Sequence, residues 1–248
     1  SKLTVYFQPI MDMSAGKPVA VEALVRWPDE RGGGMTQPSE FIPLAEHTGL
    51  IVPLGEFVLR EAVQAMKTLP RRSFQPLNLA INVSVRQLSD LAFADDVLAT
   101  LDGLDFPATR LHFEITETAA LSEGQLIGDQ LRRLKKAGAS IAIDDFGVGY
   151  SSLSRLRQMP LDMLKIDASF IRDMIEDPDD AAIANAVVSL SRALNMKVVA
   201  EGVERLDQQK ALESWGCSLM QGYLYSRPIP IDELESIGKA MGADVPVC

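Results

Sequence analysis

Short apolar runs and amphipathic stretches alternate along most of this chain. Residues 4–10 and 18–27 read as strands, with Gly16 in the short turn between them. A turn that short predicts a hairpin, and therefore an antiparallel pair. Residues 31–37, with Gly32, Gly33 and Gly34 in a row, read as a mobile loop. Pro38-Ser39-Glu40 opens a helix over 41–48 that stops at Gly49, and 53–69 forms a longer amphipathic helix. Strand and helix then alternate. Strands are expected over 77–83, 111–115, 141–143, 163–166, 197–200 and 218–223. Helices are expected over 88–101 and 124–137, from Tyr150-Ser151-Ser152 through Leu156, and over 179–194, 206–215 and 231–241.

Eight strands mostly separated by helices imply a parallel sheet with right-handed crossovers. At 248 residues the leading architecture is an α/β fold of the closed (β/α)8 barrel type, with an antiparallel irregularity at its first strands. A doubly wound open sheet comes second. No Gly-x-Gly-x-x-Gly follows a strand, which removes support for a dinucleotide fold. No linker or low-complexity tract divides residues 1–248, so one domain is expected.

Composition narrows the partners more than the fold. The 47% hydrophobic and 23% charged content suits a globular protein. A net charge of −10 argues against a surface for a nucleic-acid polymer, but leaves room for a small anion held by metals. No apolar run reaches the ~18 residues of a membrane span, so no membrane contact is expected. Residues 1–9 carry no secretory h-region, and Cys217 and Cys248 make no disulfide framework. Both features fit a cytoplasmic location. The abrupt start suggests a domain cut from a longer protein.

The candidate chemistry sits at the strand ends, where a barrel of this kind carries its functional residues. The stretch Ile141-Ala142-Ile143-Asp144-Asp145-Phe146-Gly147-Val148-Gly149 runs from a strand into two abutting carboxylates and a glycine turn. Both aspartates reach one site only if the strand ends there and the glycines bend the backbone. Other strands deliver Glu22 and Arg26, Asn82 and Ser84, Glu114 and Glu117, Lys165 and Asp167, Glu201 and Glu204, and Gln221. Singly, each has an ordinary role open to it: Glu22 on an edge, Asn82 in a turn, Lys165 solvated, the aspartates capping a helix. Jointly they converge on one rim, where carboxylates without cations would repel one another. The donors are all oxygen, and His47 and His112 lie outside the set, which favours Mg²⁺ or Mn²⁺ over Zn²⁺. Lys165 adds one positive charge to orient a water or balance a phosphate.

Glu22-Ala23-Leu24 followed by Val25-Arg26-Trp27 resembles the motif of EAL domains, the cyclic di-GMP phosphodiesterases. The similarity runs from Tyr6-Phe7-Gln8-Pro9-Ile10, through Phe41-Ile42-Pro43-Leu44-Ala45-Glu46 and the strand ends, to Gln221-Gly222-Tyr223-Leu224 and Arg227-Pro228. It implies a (β/α)8 barrel with two Mg²⁺ or Mn²⁺ ions that acidify a water and neutralise the phosphate, opening cyclic di-GMP to linear pGpG. Glu22, Asn82, Glu114 and Asp144 would hold one metal; Asp144 would bridge to a second held by Asp145 and supported by Glu201. Lys165 would position the water, with Gln221 beside it, and Glu117 would steady the loop after the paired aspartates. Substrate contacts are implied at Gln8, Leu24, Arg26, Pro43, Asp167 and Glu204. The resemblance also implies a homodimer and fused sensory or GGDEF domains. A cyclic di-GMP receptor with little turnover is the alternative, although such receptors usually lose metal ligands and this chain keeps them. One departure stands out: Val148 occupies a position where the family usually has threonine, whose hydroxyl could pin the loop.

Overall fold

The structure, a computed structural model, describes residues 3–28, 34–69, 77–121, 125–149 and 156–234. Strand β1 (Thr4–Asp12) pairs antiparallel with β2 (Lys17–Pro28) in the expected hairpin. The described part of the 31–37 loop contains a two-residue strand, β3 (Met35–Thr36), which pairs with Trp27 and Pro28. Helices α1 (Pro38–Thr48) and α2 (Ile51–Thr68) follow. Gly49, with φ of 85°, ends α1 in the left-handed region that glycine enters without penalty.

Strand β4 (Asn78–Asn82) leads into a helical region that the sequence reads as one helix and the structure divides. Its parts are α3 (Val85–Leu88) and α4 (Phe93–Gly103). The break has a local cause: Ser84 caps α3 with Gln87 in a reciprocal capping box, and the Asp90 carboxylate accepts from the Ala92 N–H in a turn. Next come β5 (Leu111–Thr116), α5 (Glu117–Leu121), α6 (Gln125–Lys136) and β6 (Ser140–Phe146). The chain continues with β7 (Met163–Ile166), α7 (Ala168–Arg172), α8 (Pro178–Ala193), β8 (Lys197–Ala200), α9 (Leu206–Trp215) and β9 (Leu219–Met220). The last strand is shorter than the expected 218–223 because the chain turns at Gln221-Gly222. The helix expected from Tyr150-Ser151-Ser152 lies outside the described residues as far as Leu156. So does the closing helix beyond the 3-10 turn Ile231–Glu233 and Leu234.

The strands are ordered β1-β9-β8-β7-β6-β5-β4-β2, and the β1–β2 pairing closes the ring into an eight-stranded barrel. Seven neighbouring strands from β2 to β9 run parallel, while β1 is antiparallel to both β2 and β9. The larger core lies between the outer faces of the strands and the helices. Inside the barrel, a smaller apolar layer consists of Ile10, Ala20, Ala80, Ala142, Met163 and Val199. This layer positions the site. Side chains two residues apart on a strand share a face. Stepping up from that layer gives Glu22, Asn82, Asp144, Lys165 and Glu201, and on the reversed β1 it gives Gln8. Among the described residues no helix is long and apolar enough to cross a membrane.

Candidate active site

Lys165, only 1% exposed, stands at the centre of the rim. Its ammonium lies 2.7 Å from Glu114 Oε2, 3.0 Å from Asp144 Oδ1 and 3.7 Å from Glu22 Oε2, and also contacts Glu201 Oε1. Burial alone would lower the lysine pKa, but Asp144, Glu114, Glu201 and Glu22 together outweigh it and hold Nζ charged. Burial pushes the Glu114 and Glu201 carboxyls well above the ordinary carboxylate range, against the pull of Lys165. One lysine therefore does not neutralise this ring, and a further positive charge would be stabilised there.

Amide groups order the carboxylates. Asn82 Nδ2 donates to Glu22 Oε1 at 2.6 Å, and Gln221 Nε2 donates to Glu22 Oε2 at 2.8 Å and to Gln8 Oε1 at 3.1 Å. Gln8 in turn donates to the Ser226 carbonyl at 3.1 Å. Glu22 thus has both oxygens fixed by amides, one from the adjacent β4 and one from just beyond β9.

Asp144 follows the pleat of β6, but Asp145 does not. The β6–β7 register shifts between Ile143 and Phe146, and Asp145 has φ of 52°. This bulge turns the second aspartate back toward the first, at a backbone cost of roughly 1–2 kcal/mol for a left-handed non-glycine residue. The strand therefore does not end at Asp144, and the bend comes from Asp145 itself rather than from the glycines beyond it. One oxygen each of Asp144, Asp145 and Glu201 then lies within 4.8 Å of the others. Burial, the neighbouring Asp144 charge and a hydrogen bond with Asp167 push the Asp145 carboxyl up to about 6.

These donors suit hard divalent cations. They are all oxygen, four carboxylates share the one Lys165 ammonium, and Gln221 Oε1 is buried without a hydrogen-bond donor. The following loop is held from outside the cluster. Glu117 Oε2 accepts from the Gly147 N–H at 3.0 Å and the Gly149 N–H at 3.3 Å. Val148 between them is 65% exposed.

A cavity of about 280 Å³ opens beside the ring, walled by Leu24, Arg26, Asn82, Glu114, Asp144 and Asp145. Helices α1 and α2 contribute its apolar side through Ile42, Ile51 and Leu54. The structure thus brings Glu22, Asn82, Glu114, Asp144, Asp145, Lys165, Glu201, Gln221 and Gln8 together, with Leu24 and Arg26 on the adjoining wall. Asp167 joins through Asp145 while capping α7, where it accepts from the Ser169 N–H at 2.9 Å. Two residues fall elsewhere. Pro43 is exposed, while its α1 neighbours Ile42 and Glu46, four residues apart on one helical face, line the cavity. Glu204 is exposed, and among the described residues no hydrogen bond or ion pair joins its carboxylate to the ring. Glu46 is the lining residue that strand-end reasoning passes over; the helical repeat starting at Pro38 is the signal that marks it.

A family model described as the EAL domain matches residues 1–228. The bifunctional diguanylate cyclase/cyclic di-GMP phosphodiesterase MucR of Pseudomonas aeruginosa is 41% identical over 94% of this chain, which spans 34% of that protein. The cyclic di-GMP phosphodiesterase NbdA of the same organism is 39% identical over 98% of the chain, which spans 31% of it. The chain thus covers about a third of the length of these curated relatives. The solved PaMucR phosphodiesterase in complex with c-di-GMP superposes with a TM-score of 0.89 over 94% of each chain. The EAL domain of Mycobacterium smegmatis DcpA, 34% identical, superposes with a TM-score of 0.82 over 99% of this chain and 100% of that one. With a family match over nearly the whole chain and the same barrel in its relatives, this chain belongs to the EAL domain family.

Proposed function

We propose that the chain is a metal-dependent phosphodiesterase that hydrolyses cyclic di-GMP to linear pGpG. The observation that carries this reading is the ring of Glu22, Glu114, Asp144 and Glu201 around Lys165, opening onto a cavity that Arg26 walls. Relatives named as cyclic di-GMP phosphodiesterases, and the PaMucR phosphodiesterase solved with c-di-GMP, support the substrate. A binding-only module would not need this complete donor set.

Glu22, Asn82, Glu114 and Asp144 would hold one Mg²⁺ or Mn²⁺, and Asp144, Asp145 and Glu201 a second. Bound there, the cations would neutralise phosphate charge and lower the pKa of a water. The chain's own groups do the rest. Arg26 binds a phosphate oxygen, and the apolar wall from Leu24 to Leu54 receives a guanine. Gln221 and Asn82 fix Glu22, so the donors keep their spacing without reorganising. Lys165 Nζ, held charged, orients the water, and the Glu201 carboxylate beside it accepts the water's proton. Water oxygen bonds to phosphorus, the bond from phosphorus to the ribose 3′ oxygen breaks, and that oxygen takes up the proton the water gave and leaves as a hydroxyl. The relatives' greater length and the bifunctional name of MucR support a place in a longer protein that also carries a GGDEF domain.

Metal exchange tests this. In Ca²⁺ the protein is expected to bind cyclic di-GMP without cleaving it, because Ca²⁺ takes longer bonds and acidifies its water less. Added Mg²⁺ should then release pGpG. Efficient pGpG formation in Ca²⁺ alone, after metal stripping, would contradict the reading.

A further inference from the structure

A further cavity lies at the end of the barrel opposite the rim, with an apolar wall and several polar groups. Its volume is about 350 Å³, and it is lined by Asn78, His112 and Lys197, with Asp12 and Arg192 beside them. Asn78 and Lys197 are the first residues of β4 and β8, and Asp12 is the last of the reversed β1, so this is the N-terminal end of the parallel strands. Its roof is the apolar layer: Ile10, Ala20 and Met163 belong to both. That layer separates the chamber from the carboxylate ring.

His112 gives the chamber its chemistry. The residue is 8% exposed, it lines the cavity, and its Nδ1 is buried with no hydrogen-bond partner. An unsatisfied buried group of this kind costs about 1–3 kcal/mol, which a ligand atom would recover. Lys197 and Asp162 both act on the imidazole electrostatically, and the Asp162 carboxylate is paired with Lys135. Among the described residues the exposed Lys197 ammonium has no ion-pair partner, and the Arg192 guanidinium bonds only the Trp215 carbonyl, at 2.7 Å. The facing carboxylate, Asp12, is committed through Oδ1 to the Ser14 N–H at 2.9 Å and the Ser14 hydroxyl at 2.5 Å. Two cations without carboxylate partners, an amide and an imidazole thus surround one hollow, against the single lining carboxylate of Asp12. At roughly 30 Å³ per water the volume is that of about ten waters, more than one oxyanion fills.

We infer that this basal chamber binds a compact phosphate-class oxyanion, either free phosphate or the phosphate of a small phosphomonoester. Lys197 and Arg192 contact the charge, and His112 Nδ1 and the Asn78 amide complete its hydrogen bonds. The inference stands apart from the reaction at the rim, since none of these residues belongs to the ring.

Calorimetric titration of the Mg²⁺-saturated protein with inorganic phosphate, and separately with glycerol phosphate, tests it. One saturable site per chain is expected for at least one of the two probes. Binding by phosphate alone assigns the free ion, and binding by the ester assigns the esterified form. Lys197→Met, at an exposed position, should weaken binding by tenfold or more, as loss of a charge-assisted contact does. His112→Asn provides a second, buried variant with the same expectation, and Asp144→Asn at the rim should leave binding intact. Absence of saturable heat with both probes would overturn the inference. So would binding that Asp144→Asn abolishes and Lys197→Met leaves unchanged, because the anion would then sit at the carboxylate ring.

Discussion

A carboxylate at position 145 would face the helices if β6 kept its two-residue alternation, and one left-handed residue brings it inward instead. That geometry has a consequence for metal binding. The Asp145 carboxyl is pushed up to about 6 by burial, by the charge of Asp144 and by its hydrogen bond with Asp167. Below that pH a proton sits where a cation would, and the cation must displace it. The half-saturating Mg²⁺ concentration for initial rate should therefore fall as pH rises from 5 to 7, by up to about tenfold per unit below the pKa. Equal half-saturation at pH 5 and pH 7 would remove Asp145 from the metal site. The paired aspartates are legible in the sequence only together with the acids at the other strand ends, since alone they could equally cap a helix. Their convergence is not legible, since nothing in the residue names marks a positive φ at an aspartate.

Loop and strand connections decide whether such residues hold their places. Position 148 lacks a hydroxyl that could pin the loop, and the Val148 side chain is exposed to solvent. The loop's donors instead go to Glu117, at the start of α5. Val148→Thr is accordingly expected to leave both half-saturating Mg²⁺ and maximal rate unchanged. Glu117→Ala should raise half-saturating Mg²⁺ about tenfold or more, because each hydrogen bond to a charged acceptor contributes about 1.5–3 kcal/mol. The reverse pattern in a Mg²⁺ titration would return the loop to residue 148. The β9 connection makes a similar demand at Gly222. A Cβ there would meet the backbone of Val203, with O at 2.1 Å and N at 2.3 Å. Val203 also donates to the Gln221 carbonyl at 3.0 Å. Gly222→Ala should therefore displace Gln221 and destabilise the barrel by about 1–3 kcal/mol in urea unfolding. An unchanged midpoint would show that the connection relaxes. Sequence periodicity reports helices and strands; close approaches between two loops leave no trace in it.

At the scale of the whole molecule, alternation along eight strands does most of the work. Each strand is inward-facing at every second residue, so one apolar layer divides the interior and a polar layer caps it at the rim. The barrel is legible in the sequence from its alternating strands and helices, and the ring from the acids and amides at successive strand ends, whereas imperfect alternation along 163–167 leaves Lys165 open to a solvated role. The direction of β1 was readable from its short turn at Gly16, and closure through β1–β2 follows from it. Less readable was which groups fill the space between Lys165 and its four carboxylates, because a buried charge ring is defined by distances across the barrel. The ring, loaded with Mg²⁺, is proposed to hydrolyse cyclic di-GMP. The most direct measurement is the product formed from cyclic di-GMP at saturating Mg²⁺ by the native chain and by Asp144→Asn. The account predicts linear pGpG from the native chain and a rate at least about a hundredfold lower from the variant, in line with loss of a group that acts on the transition state. Bound but uncleaved cyclic di-GMP in the native protein, or equal rates in the two, would contradict it.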